Sequence, residues 1–159
     1  LEDEIIKRII AENEVIKEKK LIDTDHIFFI NQFIIPTQGI ISGVFGSQRI
    51  LNGKPKSPHK GLDIAAVEGE PVVATNDGVV ILAEDDLYYT GGTIMIDHGH
   101  GVKSIYAHMS QVNVQADEKV SKNQIIGAVG STGRSTGPHL HWGVMLFNTY
   151  VDPALLIEK

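Results

Sequence analysis

The chain has 159 residues, long enough for one domain with a real core, and its 14 Lys and Arg against 20 Asp and Glu give a formal charge of −6. An acidic balance with no basic run argues against nucleic acid and anionic lipid, whose phosphates call for clustered Lys and Arg. Seven histidines and no cysteine exclude disulfides, cysteine-rich zinc knots, iron–sulfur clusters and thiol nucleophiles, so any metal chemistry must use His with Asp or Glu.

Residues 1–20 carry five basic and six acidic groups, whereas 60–100 carry one and eight, so the negative charge is concentrated there. In the first segment Ile5, Ile9 and Ile16, with Ile6 and Ile10 beside them, recur at helical spacing among Glu and Lys, which predicts an amphipathic helix ending before Asp23. So short a helix is marginal alone and must dock on something. The chain starts at Leu1 with no charged-then-apolar signal pattern, which predicts a fragment of a longer protein whose signal, anchor or regulatory region lies upstream. No apolar stretch approaches the length of a membrane span.

None of the 16 glycines precedes Gly39, and the character of the chain changes near Pro36. We divide it into an amphipathic helix and linker over 1–35 and a second, glycine-bearing domain over 36–159. From about Phe28 short apolar runs alternate with Gly and Pro, the pattern of a mainly β, antiparallel sheet domain. Pro71 to Thr75 and Val79 to Ala83 flank Asn76-Asp77-Gly78, predicting a hairpin. Thr93 to Asp97 and Val102 to Ala107 flank His98-Gly99-His100-Gly101, predicting another, and Gln124 to Val129 and His139 to Leu146 supply further strands.

Three places concentrate metal-ligand chemistry. His59 and Asp63 are four residues apart, about 13 Å on a flat strand, so the chain must bend between them, and Gly61 permits a bend. His139 and His141 flank Leu140 in a strand-like run and share a face. His108 ends a strand after Tyr106-Ala107. Each motif alone arises readily by chance; their joint occurrence carries the weight.

Taken together, His59-x-x-x-Asp63, Tyr106-Ala107-His108 and Gly137-Pro138-His139-Leu140-His141 resemble the lysostaphin-type, or LytM-like, zinc metalloendopeptidases that cut peptide cross-links of bacterial peptidoglycan. Gly43-Val44-Phe45-Gly46, Gly61-Leu62-Asp63-Ile64-Ala65, Ile96-Asp97-His98-Gly99 and Gly130-Ser131-Thr132-Gly133 agree, so the resemblance runs from about Pro36 to Pro153. It implies one zinc ion held by His59, Asp63 and His141, with His108 and His139 as catalytic histidines. It also implies a compact antiparallel β-sheet domain of that peptidase type, preceded here by an α-helix, and an extracytoplasmic location. No H-E-x-x-H motif supplies a carboxylate base, so a histidine would do that work.

Asp85-Asp86-Leu87-Tyr88-Tyr89-Thr90-Gly91-Gly92 and Arg49-Ile50-Leu51-Asn52-Gly53 resemble Gram-negative, periplasmic members, which cleave D-Ala-to-diaminopimelate cross-links; cleavage of glycine bridges is the alternative. Ala116-Asp117-Glu118-Lys119-Val120 departs from the family by lacking a Gly in the turn. A non-enzymatic reading, a LytM-like activator of cell-wall amidases, is set against the enzyme, but such domains have lost ligands and all five motif residues are present here. A latent enzyme is a third reading, with Asn31 and Gln32 of the 24–35 segment approaching the zinc. His26, His98 and His100 are expected to be structural or exposed, Trp142 to be core, and the loops 88–90 and 134–136 to wall a groove.

Overall fold

The computed structural model describes residues 1–48, 50–55 and 57–157; Arg49, singled out above, lies outside the described residues. The isoleucine spacing of the first segment is realised as helix α1 (Glu2–Lys20), which ends before Asp23 as expected. Glu2, Asp3 and Glu4 in its first turn and Lys17, Lys19 and Lys20 in its last complement the helix dipole. No residue of α1 is fully buried. It docks through Ile16, which packs with Ile22 and Tyr150 against a cluster of Ile81, Leu82, Leu87, Met95, Ile105 and Met145.

The remaining regular structure is mostly strand: β1 (Ile40–Gly43), β2 (Ile50–Leu51), β3 (Lys54–Pro55), β4 (Leu62–Ala65), β5 (Pro71–Val73) and β6 (Gly78–Leu87). It continues with β7 (Gly91–Gly99), β8 (Val102–Val112), β9 (Lys119–Val120), β10 (Ile125–Val129), β11 (His139–Leu146) and β12 (Thr149–Val151). Apart from the separate β2–β3 pair, the strands form one antiparallel sheet in the order β1-β4-β11-β8-β7-β6-β9, with β12 on β11 and with β10 joining β8 to β5. The fold is therefore mainly β with a leading helix. Alternation along the strands splits the core. Ile94, Ile96, Leu140, Trp142 and Val144 face one cluster, while Met95 and Met145 face the other, under α1. Each such fully buried side chain contributes roughly 1.5–3 kcal/mol, and Trp142 is core as expected.

The hairpin at His98-Gly99-His100-Gly101 forms as predicted between β7 and β8, with Gly99, His100 and Gly101 at positive φ. The one predicted at Asn76-Asp77-Gly78 does not. β5 pairs with β10, and β6 pairs with β7 and β9. None of the three residues adopts a positive φ, so the turn chemistry is not used. Gly78 is required for space instead: a Cβ there would lie 2.5 Å from the Ile96 side chain and 2.6 Å from the Asp97 carbonyl. In the turn that lacks the family glycine, Asp117 takes the left-handed conformation itself, at φ 73°, a region that Asp visits more readily than most residues.

The 24–35 segment crosses the hairpin end of the sheet. Thr24 Oγ1 donates to Asp97 Oδ2 at 2.7 Å, and its carbonyl accepts from His100 N. Asn31 O accepts from Asn76 Nδ2 at 2.7 Å, Phe33 is buried edge-on to His98 at 5.1 Å, and Gln32 lines a separate cavity with Lys122 and Ile157. His108 lies six residues along β8 from the hairpin, ~20 Å away at strand rise. The expectation that Asn31 and Gln32 approach the metal site is thus overturned: backbone pairing of this segment, including Ile34 N to Thr75 O, holds it at the opposite end.

His98 is fully buried, and its hydrogen bonds form a chain with one direction. Thr75 N–H donates to Tyr106 Oη (3.0 Å), Tyr106 O–H to Ser104 Oγ (2.8 Å), and Ser104 O–H to His98 Nε2 (2.7 Å); His98 Nδ1–H donates to Asp77 O (2.6 Å). The acceptor role of Nε2 requires a neutral ring. Burial depresses the His98 pKa to about 4 despite the Asp77 carbonyl, whereas an unfolded His titrates near 6.5. Because the unfolded chain binds the proton first, this stability is complete above about pH 6.5 and is lost as the pH falls toward 4. Chemical denaturation is expected to lose about 3 kcal/mol over that window from this residue, and the slope should flatten in His98→Gln.

Candidate metal centre

The register of three strands brings the motifs together. β11 lies between β4 and β8, with His141 opposite Asp63 on one side and Ala107 on the other. His139, two residues earlier, shares the face of His141, and Leu140 and Trp142 alternate into the core. Between the pairs Gly92–Met109 and Ile94–Tyr106, β8 holds one residue more than β7. His108 lies in this bulge at φ 64°, where β8 passes from pairing with β11 to pairing with β10. A bulge re-aims its side chain, and here it turns the imidazole toward the β11 histidines. The ring centroid lies 4.9 Å from that of His139 and 6.4 Å from that of His141.

His59 reaches the same point from the loop before β4. Its backbone is pinned by His59 N to Ser47 O (3.0 Å) and Gly46 N to His59 O (2.8 Å). The chain bends before Asp63, as the spacing demands, but Gly61 contributes room and not a positive φ. A Cβ on Gly61 would sit 2.8 Å from the His141 ring and 2.6 Å from Trp142 O. Gly43, opposite Asp63 in β1, likewise leaves space for the carboxylate, 2.8 Å from where its Cβ would be.

Three donor atoms converge. His59 Nε2 is 3.1 Å from Asp63 Oδ1, His141 Nδ1 is 2.9 Å from the same oxygen, and the two nitrogens are 3.3 Å apart. His59 Nδ1–H is already committed to Val44 O at 3.0 Å, so Nε2 presents a lone pair. One proton, on His141 Nδ1, can bridge to Asp63, which still leaves the His59 lone pair against a carboxylate oxygen. A cation among the three removes that repulsion. The separations are close to the ~3.3–3.6 Å edge of a tetrahedron with bonds of about 2.0–2.2 Å, and two imidazoles with one carboxylate suit zinc. Among the described residues this is the one grouping of His, Asp and Glu side chains of that kind. Burial pushes the Asp63 carboxyl up, but the hydrogen bond from His141 and the surrounding imidazoles outweigh it and hold it below the usual carboxylate range.

His108 and His139 stand beside this set with their tautomers fixed by backbone. His108 Nδ1–H donates to Thr132 O and His139 Nδ1–H to Gly137 O, both at 2.8 Å, with Ser135 Oγ 3.3 Å from the latter nitrogen. Each neutral ring therefore keeps its Nε2 lone pair for other work. Burial lowers the His108 pKa; the Thr132 carbonyl acts against this, and the neighbouring His139 and His141 add to it. All five motif residues line one open groove of about 700 Å³, together with Tyr89, Thr90, Arg134, Ser135 and Thr136. Both expected wall loops are present, although Tyr88 is not among the lining residues. His98 and His100 stay at the distant hairpin, and His26 stacks on Phe28 at 5.1 Å. Sequence reasoning missed the carbonyls of Val44, Thr132 and Gly137 that orient the imidazoles, because a backbone acceptor leaves no side-chain signal.

Comparison with known proteins agrees with this geometry. Residues 57–153 match the family model described as Peptidase family M23. The chain is 41% identical over 93 residues to the peptidoglycan DD-endopeptidase ShyA of Vibrio cholerae, covering 58% of this chain and 21% of that protein. It spans about a fifth of the length of the curated relatives it matches first. A peptidase M23 structure from Pseudomonas aeruginosa superimposes with a TM-score of 0.79 at 34% identity, over 97% of this chain and 62% of that one. A zinc-containing peptidase from Vibrio cholerae gives 0.72 at 33% identity, over 77% and 39%. The five motif residues lie within the matched stretch, and the chain belongs to peptidase family M23.

Proposed function

We propose that this chain is a zinc-dependent endopeptidase that hydrolyses peptide cross-links of bacterial peptidoglycan. The observation that carries the proposal is the convergence of His59 Nε2, Asp63 Oδ1 and His141 Nδ1 within 3.3 Å, beside two further imidazoles with free Nε2 atoms. His59, Asp63 and His141 would hold one zinc ion. When bound, zinc would supply a Lewis acid for the scissile carbonyl and would acidify the attacking water toward a pKa of about 7. His108, oriented by Thr132 O, accepts a proton from the attacking water at Nε2. His139, in its protonated form, donates from Nε2 to the developing oxyanion while Nδ1–H stays on Gly137 O. His108 then passes the proton it took from the water to the leaving amine.

The peptidase unit is taken as residues 36–159, with α1 and its linker as an addition. Peptidoglycan as substrate is supported by the naming of the Vibrio relative and by the motif resemblance. It implies an extracytoplasmic, periplasmic setting in a Gram-negative cell. The D-Ala-to-diaminopimelate cross-link is the bond proposed. The amidase-activator reading gains nothing from the geometry, because all five motif residues are brought into one groove.

Digestion of defined peptidoglycan fragments, with mass spectrometry of the products, is expected to show cleavage at the peptide cross-link that stops on chelation and returns with zinc. Persistence after complete zinc removal would refute the mechanism. His108→Ala should retain near-stoichiometric zinc by elemental analysis while kcat falls by about 10²–10⁴-fold. Ala shares the unfavourable left-handed backbone, so the fold should change little. Asp63→Ala and His59→Ala should instead lose the metal itself, and a zinc-loaded wild-type chain that cut nothing would favour the activator reading.

A further inference from the structure

The helix that the peptidase motifs leave unexplained touches the groove wall. Arg8 and Glu12, one turn apart on α1 and paired at 2.8 Å, face the tip between β6 and β7. Glu12 Oε2 accepts from Tyr88 N–H at 2.8 Å. Arg8 donates to the Asp86 carbonyl, lies 3.5 Å from the Asp86 carboxylate and stands over the Tyr88 ring at 5.8 Å. The Tyr88 ring packs edge-on against Tyr89 at 5.0 Å.

On its other side the same tip is bonded to the catalytic apparatus. Thr90 O accepts from His108 N at 2.7 Å, and Tyr89 O accepts from Arg134 N at 2.9 Å. Gly92 N donates to Thr132 Oγ1, and Thr132 O holds His108 Nδ1. The seam has no slack: a Cβ on Gly91 would fall 2.2 Å from Thr132 Oγ1. One short peptide, Tyr88 to Gly92, thus donates a hydrogen bond to the helix at one end and carries the backbone of His108 and of the Arg134 loop at the other.

We propose that Glu12, braced by Arg8, is a positioning residue: α1 fixes the height of the β6–β7 tip and so the position of the groove wall that Tyr89 and the Arg134 loop form together. The use of the groove rests on the peptidase reading; the mechanical coupling does not. Such an exposed pair adds little to global stability, which separates positioning from folding as its role. The zinc ligands on β4, β11 and the His59 loop do not touch the helix and should be unaffected.

The test uses the full chain loaded with zinc, comparing Glu12→Ala with Glu12→Gln, which keeps an oxygen acceptor for Tyr88 N–H. In Glu12→Ala, amide hydrogen exchange at His108 and Arg134 is expected to quicken about tenfold, with core amides such as Ile94 and Ile96 unchanged. KM for a cross-linked fragment should rise about threefold to tenfold with kcat within about twofold, and Glu12→Gln should restore most of both. Unchanged exchange at His108 and Arg134 in Glu12→Ala would overturn the proposal, as would a Gln variant as impaired as the Ala one. A wild-type chain that cuts no peptide would end the peptidase reading alone, because the exchange measurement still decides the coupling.

Discussion

The register of β11 between β4 and β8 is the constraint on which the rest of the centre depends. Strand side chains alternate with a period of two, so a slip by one residue would send His139 and His141 into the apolar layer and bring Leu140 and Trp142 out. Trp142 and Leu140 are fully buried, and their burial locks the register far more firmly than the imidazoles could. Hydrophobic packing on one face of β11 thus determines which donor atoms meet on the other. Opposite His141, Asp63 is placed by the same ladder, and no loop needs to be ordered to bring those two together.

The remaining groups are placed by departures from regularity. His59 comes from a loop held to Ser47 and Gly46 by backbone bonds, and His108 comes from a bulge. In each case a backbone carbonyl fixes the imidazole: Val44 and Thr132, from other segments, for His59 and His108, and Gly137, two residues upstream, for His139. Such supports set which nitrogen is free, and that choice decides whether a histidine can be a ligand, a base or neither. His98 illustrates the opposite outcome. Both its nitrogens are used inside a closed polar chain, so it has nothing left for chemistry.

Much of this could be read from the residues, and the limits follow the physics. The β11 pair was legible because alternation on a strand is a local property, and α1 because helical spacing is too. The predicted hairpin at Asn76-Asp77-Gly78 failed because glycine has two uses, a positive φ or a close approach, which look alike in sequence; Gly78 serves the second. Gly61 was expected to serve a bend and instead makes room for the His141 ring. The path of Thr24 to Ile35 was not legible, since it depends on backbone bonds to Thr75 and to the His98–Gly101 hairpin. The contact between Glu12 and Tyr88 joins residues 76 positions apart and has no signature in either segment.

The left-handed backbone of His108 has a thermodynamic side. A non-glycine residue held there costs on the order of 1 kcal/mol or more, and the surrounding sheet bears that cost to turn one imidazole out of the strand. Gly, free of the penalty, would make a more stable protein at this position, and Asn would give up less than most residues. If His108 has the role of base proposed above, stability and chemistry pull residue 108 in opposite directions. A population of variants screened only for folding would drift toward Gly at this corner and lose the ring, whereas one screened for turnover would keep the strained histidine and collect its compensating substitutions elsewhere in the core.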